Sequence, residues 1–121
     1  MPNFEQLKML ELVRVLRTDI LAVEEQRSAA AFRQARKDLQ DIYNCHLISK
    51  KSFTGVEYYL KNLYTSFNYG AVIVNEALKK RNLDGENGVK LEECLETMIS
   101  CCDKVTEGLK QPPQPPRTKK K

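Results

Sequence analysis

The chain has 121 residues, of which 41% are hydrophobic and 30% are charged, and this length gives room for one domain. No stretch approaches the roughly 20 apolar residues of a membrane span, and the opening MPNFEQLKML lacks the layout of a secretory signal. We therefore expect a cytoplasmic or nuclear protein with no membrane partner, whose four cysteines stay reduced.

The net charge of +4 is concentrated at the C-terminal end. Residues 110–121, KQPPQPPRTKKK, contain five cations and no acid, and removing these five from +4 leaves about −1 for residues 1–109. A nucleic-acid-binding domain usually carries its cations on the fold itself, so the charge does not favour nucleic acid as the partner. Nucleic acid stays the alternative, through the tail and a mixed surface whose cations are interleaved with Asp38 and Asp41. The cations of this surface are Arg33, Arg36, Lys37, Lys50 and Lys51.

Two helical registers occupy residues 3–49, a segment that contains neither proline nor glycine. The first follows Asn3, a candidate N-cap, and consists of Met9, Val13, Leu16, Ile20 and Val23, widened by Leu12 and Leu21. The second consists of Phe32, Ala35, Leu39 and Ile42. Because the two registers do not join in phase, we predict a break near residues 25–29, with Ser28 as a new N-cap. One long bent helix is the alternative.

The next helix is predicted to run to around Arg81. Residues 49–54 indicate a turn, and Thr54 and Glu57 have the spacing of a capping box. The apolar face of this helix recurs every three or four residues, at Val56, Leu60, Leu63, Phe67, Gly70, Val74 and Leu78.

Residues 82–88, NLDGENG, predict a loop before the last helix. The apolar stripe of that helix consists of Leu91, Leu95, Met98, Cys102, Val105 and Leu109. The prolines that follow cannot continue a helix, so we expect a disordered tail over residues 110–121. Because the connections between helices are short, the predicted fold class is all-α, an antiparallel three- or four-helix bundle over residues 1–109 with a Pro-rich basic tail.

The third helix carries apolar side chains on the side opposite its core stripe, namely Tyr58, Tyr69 and Val72. Seven of the nine aromatic residues lie between positions 43 and 69. Either this helix is central and the two halves of the first pattern cover both of its sides, or these residues form a partner-binding or self-association surface.

The tail contains a polyproline ligand pattern. Residues 112–117, PPQPPR, fit P-x-x-P-x-R, which predicts binding to an SH3-type domain through Pro112, Pro115 and Arg117. The competing interpretation is a solubilising end with no ligand role.

The cysteines and the single histidine do not have the spacing of a metal site. Cys94 and Cys101 are seven residues apart, about 10.5 Å along a helix, which is too far for one tetrahedral ion to bind both. Cys45 and His46 are adjacent, and adjacent helical side chains point about 100° apart. We therefore expect no metal, no cofactor and no catalytic residue. A thiol-based redox or enzymatic role is a second alternative, which requires a thiol with a depressed pKa.

The sequence thus predicts a non-catalytic protein–protein interaction module, an adaptor or a small assembly subunit of a larger complex. The aromatic face and the proline-rich tail favour this function. A chain of this length builds a thin core, which leaves room for homo-oligomerisation.

Overall fold

The computed structural model describes residues 3–80 and 85–110. Within this part of the chain every residue except Asn3, Arg27, Ser28 and Ser49 lies in a helix, and no strand is present. The prediction of an all-α protein is confirmed. The α-helices are α1 (Phe4–Gln26), α2 (Ala29–Ile48), α3 (Glu57–Lys80) and α4 (Gly85–Lys110), and a 3-10 helix (Lys50–Val56) connects α2 to α3.

The first pattern is divided into two helices, as the phase break predicts. Arg27 ends α1 in the left-handed region, at φ 50° and ψ 37°, and its N–H donates to the carbonyl of Val23 at 2.8 Å. The Ser28 hydroxyl then accepts from the N–H of Ala31 at 3.1 Å and caps α2. At the other end of α1, Asn3 caps the helix by accepting from the N–H of Gln6 at 2.8 Å. Both predicted N-caps are confirmed.

Ion pairs and close contacts give the directions of the helices. Arg17 pairs with Asp103 at 2.8 Å and Arg27 pairs with Glu92 at 2.9 Å, so α1 and α4 run in opposite directions. A Cβ added to Gly70 of α3 would lie 3.8 Å from the Cys94 sulfur of α4, and one added to Gly108 would lie 2.5 Å from Val56. The α4 helix therefore also runs opposite to α3. It contacts α1 on one side and α3 on the other, and α2 packs on α1.

The predicted stripes form the core. Every position that the sequence places on a stripe is buried, except that the Leu78 side chain lies outside the described residues. Of the two residues expected to widen the stripe of α1, Leu12 is half-buried. Leu21 was predicted wrongly, since it is 41% exposed. The apolar face of α1 is therefore one residue narrower than the sequence suggests.

Two predicted boundaries are wrong. Thr54 lies inside the 3-10 helix, and its hydroxyl donates to the carbonyl of Lys51 at 2.9 Å. Because α3 begins at Glu57, the predicted capping box of Thr54 and Glu57 does not start this helix. The α4 helix begins at Gly85, inside the segment 82–88 that was predicted as a loop. Residues 111–121, the predicted disordered tail, lie outside the described residues. None of the helices in the described part of the chain is long and apolar enough to cross a membrane.

Candidate functional site

The outward side of α3 carries the three predicted partner-binding residues, which we call the tyrosine face: Tyr58, Tyr69 and Val72. Their exposed fractions are 69%, 53% and 60%. The interpretation that the halves of the first pattern cover both sides of this helix is therefore wrong. The reason is packing: α1 lies against α2 and α4, and only α4 packs closely along α3.

A groove runs between α2 and α3, whose backbones approach each other at few points. It consists of two adjoining clefts of about 350 and 390 Å³, and Tyr43 and Tyr64 line both. Leu39 and Phe67 lie towards one end, and Leu47 lies towards the other. We call this feature the α2–α3 groove.

Large aromatic side chains, rather than close backbone packing, fill the space between these two helices. Phe32 of α2 stacks on Phe67 of α3 with ring centroids 4.7 Å apart. Tyr43 of α2 meets Tyr64 of α3 edge to face at 5.3 Å. Side chains of this size hold the helix axes apart, and they leave the groove open towards solvent.

His46 and Tyr64 join the two walls of the groove. The Tyr64 hydroxyl lies 3.0 Å from Nδ1 of His46, while Nε2 lies 3.8 Å from Oε1 of Glu57, whose other oxygen pairs with Lys61 at 3.2 Å. The imidazole is 6% exposed, and this burial lowers the pKa of His46 despite the nearby carboxylate. A neutral ring with its proton on Nε2 fits both neighbours, because Nδ1 then accepts from the phenol.

This pair was not found by sequence reasoning. His46 and Tyr64 are 18 residues apart on different helices, and no residue spacing links them. The only available signal was the high density of aromatic residues between positions 43 and 69.

All four cysteines are buried and unpaired with one another. Burial raises the pKa of each thiol, that of Cys102 to about 12. This is the reverse of the depressed pKa that the thiol-based alternative requires. His46 contacts Tyr64 rather than its neighbour Cys45. Over residues 3–80 and 85–110, no group of three or more histidine, cysteine or acidic residues has a geometry that could hold a metal ion.

The mixed basic cluster differs from its prediction in one residue. Its five cations are exposed, but Asp38, which was interpreted as part of the same surface, is 7% exposed and faces Asp19 of α1. Gln34 donates to one Asp38 oxygen at 3.2 Å, and the other oxygen, Oδ2, has no hydrogen-bond partner among the described residues. Burial and the neighbouring carboxyl group raise the pKa of Asp38 to about 7.

The predicted tail residues Pro112, Pro115 and Arg117 lie outside the described residues, and their role stays a prediction. Comparison of the chain with protein-family models, with curated proteins and with solved structures found no match.

Proposed function

We propose that this chain is a non-catalytic protein–protein interaction module, an adaptor or assembly subunit, whose helices form one antiparallel bundle. The observation that carries the proposal is the tyrosine face. Three large side chains, Tyr58, Tyr69 and Val72, are each more than half exposed on one side of one helix. Tyrosine is favoured as an interface anchor, because it combines a large apolar ring with a polar end and few rotatable bonds.

Further exposed apolar side chains support a binding role. Besides the tyrosine face, the large apolar residues with substantial exposure in the described part of the chain are Phe4, Leu7, Leu21, Tyr43, Leu47, Ile48 and Val89. Tyr43 lines the α2–α3 groove, and Ile48 ends α2 with 83% of its surface exposed. Single exposed apolar residues are common on any protein, but several on adjoining helices are typical of a surface that a partner covers.

The tail adds a second predicted binding element. Pro112, Pro115 and Arg117 fit a ligand of an SH3-type domain, and binding of such a preformed extended segment loses little conformational entropy. The bundle and the tail would then bind different partners, or two parts of one partner.

Affinity capture of the tagged full chain from cells, followed by mass spectrometry, tests this function. The variants are the triple substitution Tyr58→Ser/Tyr69→Ser/Val72→Ser and a chain that ends at Leu109. The matched control is Glu96→Gln/Ser100→Ala/Glu107→Gln, three exposed polar positions of α4.

We expect a partner that the wild type and the control retain and that the triple variant loses. Loss of a partner on truncation alone places its recognition in the tail. Identical partners for all four proteins would count against both binding elements, and with them against the proposed function.

A further inference from the structure

The α2–α3 groove has an apolar surface that the described chain leaves uncovered. Tyr43 and Leu47, on the α2 wall, are 42% and 45% exposed, and Tyr64 opposite them is half-buried. Beneath them, Leu39 and Phe67 are already buried. The clefts therefore end in a packed floor, and the half-exposed side chains along the walls are the ones that an added element would cover.

The charged residues that line the groove are mostly cations. The cations are Arg36, Lys50 and Lys61, and the single acid is Glu57. Lys61 and Glu57 pair with each other at 3.2 Å. No ion pair among the described residues involves Arg36 or Lys50, so the two ends of the groove carry positive charge that favours an acidic occupant.

The shape of the groove suits a helix. Its walls are two helices, which offer no free backbone edge for an added strand, whereas a helix buries apolar side chains at positions i, i+3, i+4 and i+7 in such a groove. The α2 wall extends from Arg36 to Leu47, roughly 16 Å at 1.5 Å per residue. An occupant of about three turns matches this length.

The charge of this chain's own tail makes it a poor occupant. Residues 110–121 contain five cations and no acid, and these would face Arg36 and Lys50 across the groove. The occupant that the charges favour is thus a segment of another protein.

We propose that the α2–α3 groove is the docking site for an acidic amphipathic helix of a partner protein. The apolar side of that helix packs on Tyr43, Leu47 and Tyr64. Its flanking carboxylates face Arg36 at one end of the groove and Lys50 at the other. This inference rests on the proposed function, since it names the class of partner that one surface of the module binds.

The test uses the full chain and three fluorescent 14-residue peptides, measured by fluorescence anisotropy at low salt. The first peptide has leucines on one helical side and glutamates flanking them. The second has the same composition with the leucines scrambled off one side, and the third carries lysine in place of each glutamate. The scrambled peptide measures charge attraction to all cations of the protein without a continuous apolar side, because it has the same charge as the first peptide.

The protein variants separate the groove from the rest of the surface. We expect Tyr43→Ser/Leu47→Ser to weaken binding of the first peptide roughly tenfold, the usual scale for removing central apolar contacts. Arg36→Glu should have a similar effect. Lys104→Glu makes the same charge change on an exposed position of α4 and should alter binding less than twofold. Circular dichroism and thermal midpoints check that each variant is folded.

Four results would overturn the inference. The first two are equal binding of the first and scrambled peptides, and peptide binding that is unchanged by the groove variants. The other two are displacement of the peptide by a single-stranded oligonucleotide of random sequence, and dimerisation of the chain that depends on Tyr43 and Leu47. If the peptides fail while partner capture still depends on the tyrosine face, the groove inference alone is wrong. If capture fails as well, the proposed function is wrong.

Discussion

His46 of α2 and Tyr64 of α3 are joined by a hydrogen bond of 3.0 Å between the imidazole Nδ1 and the phenol hydroxyl. This bond connects two helices whose backbones otherwise stay largely apart. It also fixes the ring of Tyr64, which contacts Tyr43 at the centre of the α2–α3 groove. The stability of the groove and its shape therefore depend on the same pair.

Removal of the Tyr64 hydroxyl should destabilise the protein. Tyr64→Phe keeps the ring and leaves the buried Nδ1 of His46 without a donor, so we expect the free energy of unfolding to fall by about 1–2 kcal/mol. Urea denaturation at pH 7.5 measures this change. The control is Tyr43→Phe, at a residue 42% exposed, which should change the free energy by less than about 0.5 kcal/mol. Equal effects of the two substitutions would show that the His46–Tyr64 bond adds no stability.

The stability that His46 contributes should decrease at acid pH. Burial lowers its pKa in the folded protein below the ordinary 6.5, so below pH 6.5 the unfolded chain binds a proton that the folded chain does not. The free energy of unfolding must then fall as the pH drops from 6.5 towards the folded pKa. His46→Gln removes this dependence and keeps an acceptor for Tyr64.

The measurement compares wild type with His46→Gln by urea denaturation between pH 7.5 and 5. The difference in their free energies of unfolding should change in favour of the variant as the pH falls below 6.5. A difference that is constant with pH, or that changes in favour of the wild type, would contradict the neutral, buried imidazole.

Asp38 should have the opposite pH dependence. Its pKa is raised from 3.8 to about 7, so between these values the folded protein holds a proton that the unfolded chain releases, and stability is lost as the pH rises. Asp38→Asn supplies a neutral group that is able to donate to Asp19. It should therefore stabilise the protein at pH 8 by about 1–2 kcal/mol.

At pH 4 this gain should be nearly absent, because wild-type Asp38 is then protonated in the folded protein and close to half-protonated in the unfolded chain. Glu96→Gln, at an exposed position of α4, is the control and should show little change at either pH. Destabilisation by Asp38→Asn at pH 8 would mean that the folded protein needs the charged carboxylate.

The contact between α4 and the 3-10 helix should not tolerate a methyl group at Gly108. An added Cβ would lie 2.5 Å from Cγ1 of Val56, a stiff β-branched side chain that is 2% exposed. Gly108→Ala should lower the free energy of unfolding by about 1–3 kcal/mol, despite the better helix propensity of alanine. Gly55→Ala, where nothing lies within 4 Å of the new atom, should be neutral or slightly stabilising. Thermal melts compare the unfolding midpoints of the two variants. A higher midpoint for Gly108→Ala than for Gly55→Ala would contradict the close approach of Gly108 to Val56.

The helical part of the fold could be predicted because burial follows the 3.6-residue period. The stripe from Met9 to Val23 and that from Leu91 to Leu109 required only sequence spacing. The break near Ser28 followed from the phase change between two stripes. The left-handed conformation of Arg27 could not be predicted in this way, because arginine shows no preference for that conformation. Its side chain is held by Glu92 of α4, which lies 65 residues further along the chain.

The candidate site was predictable only in part. Helical geometry placed Tyr58, Tyr69 and Val72 on one side of α3, but whether α2 would cover them depended on helix packing that no local pattern encodes. The groove depends on how far apart α2 and α3 lie, which is determined by contacts such as Phe32 on Phe67. The burial of Asp38 could likewise not be predicted from the sequence, because its neighbour Asp19 belongs to another helix.

Site-specific photo-crosslinking in cells tests the interaction role of this protein most directly. A photoreactive phenylalanine replaces Tyr69 in the full chain, and in a matched protein it replaces Glu96, an exposed residue of α4. We expect a discrete adduct of defined mass from position 69 that is absent from position 96. Equal labelling at both positions, or none at either, would contradict the conclusion that the tyrosine face binds a partner.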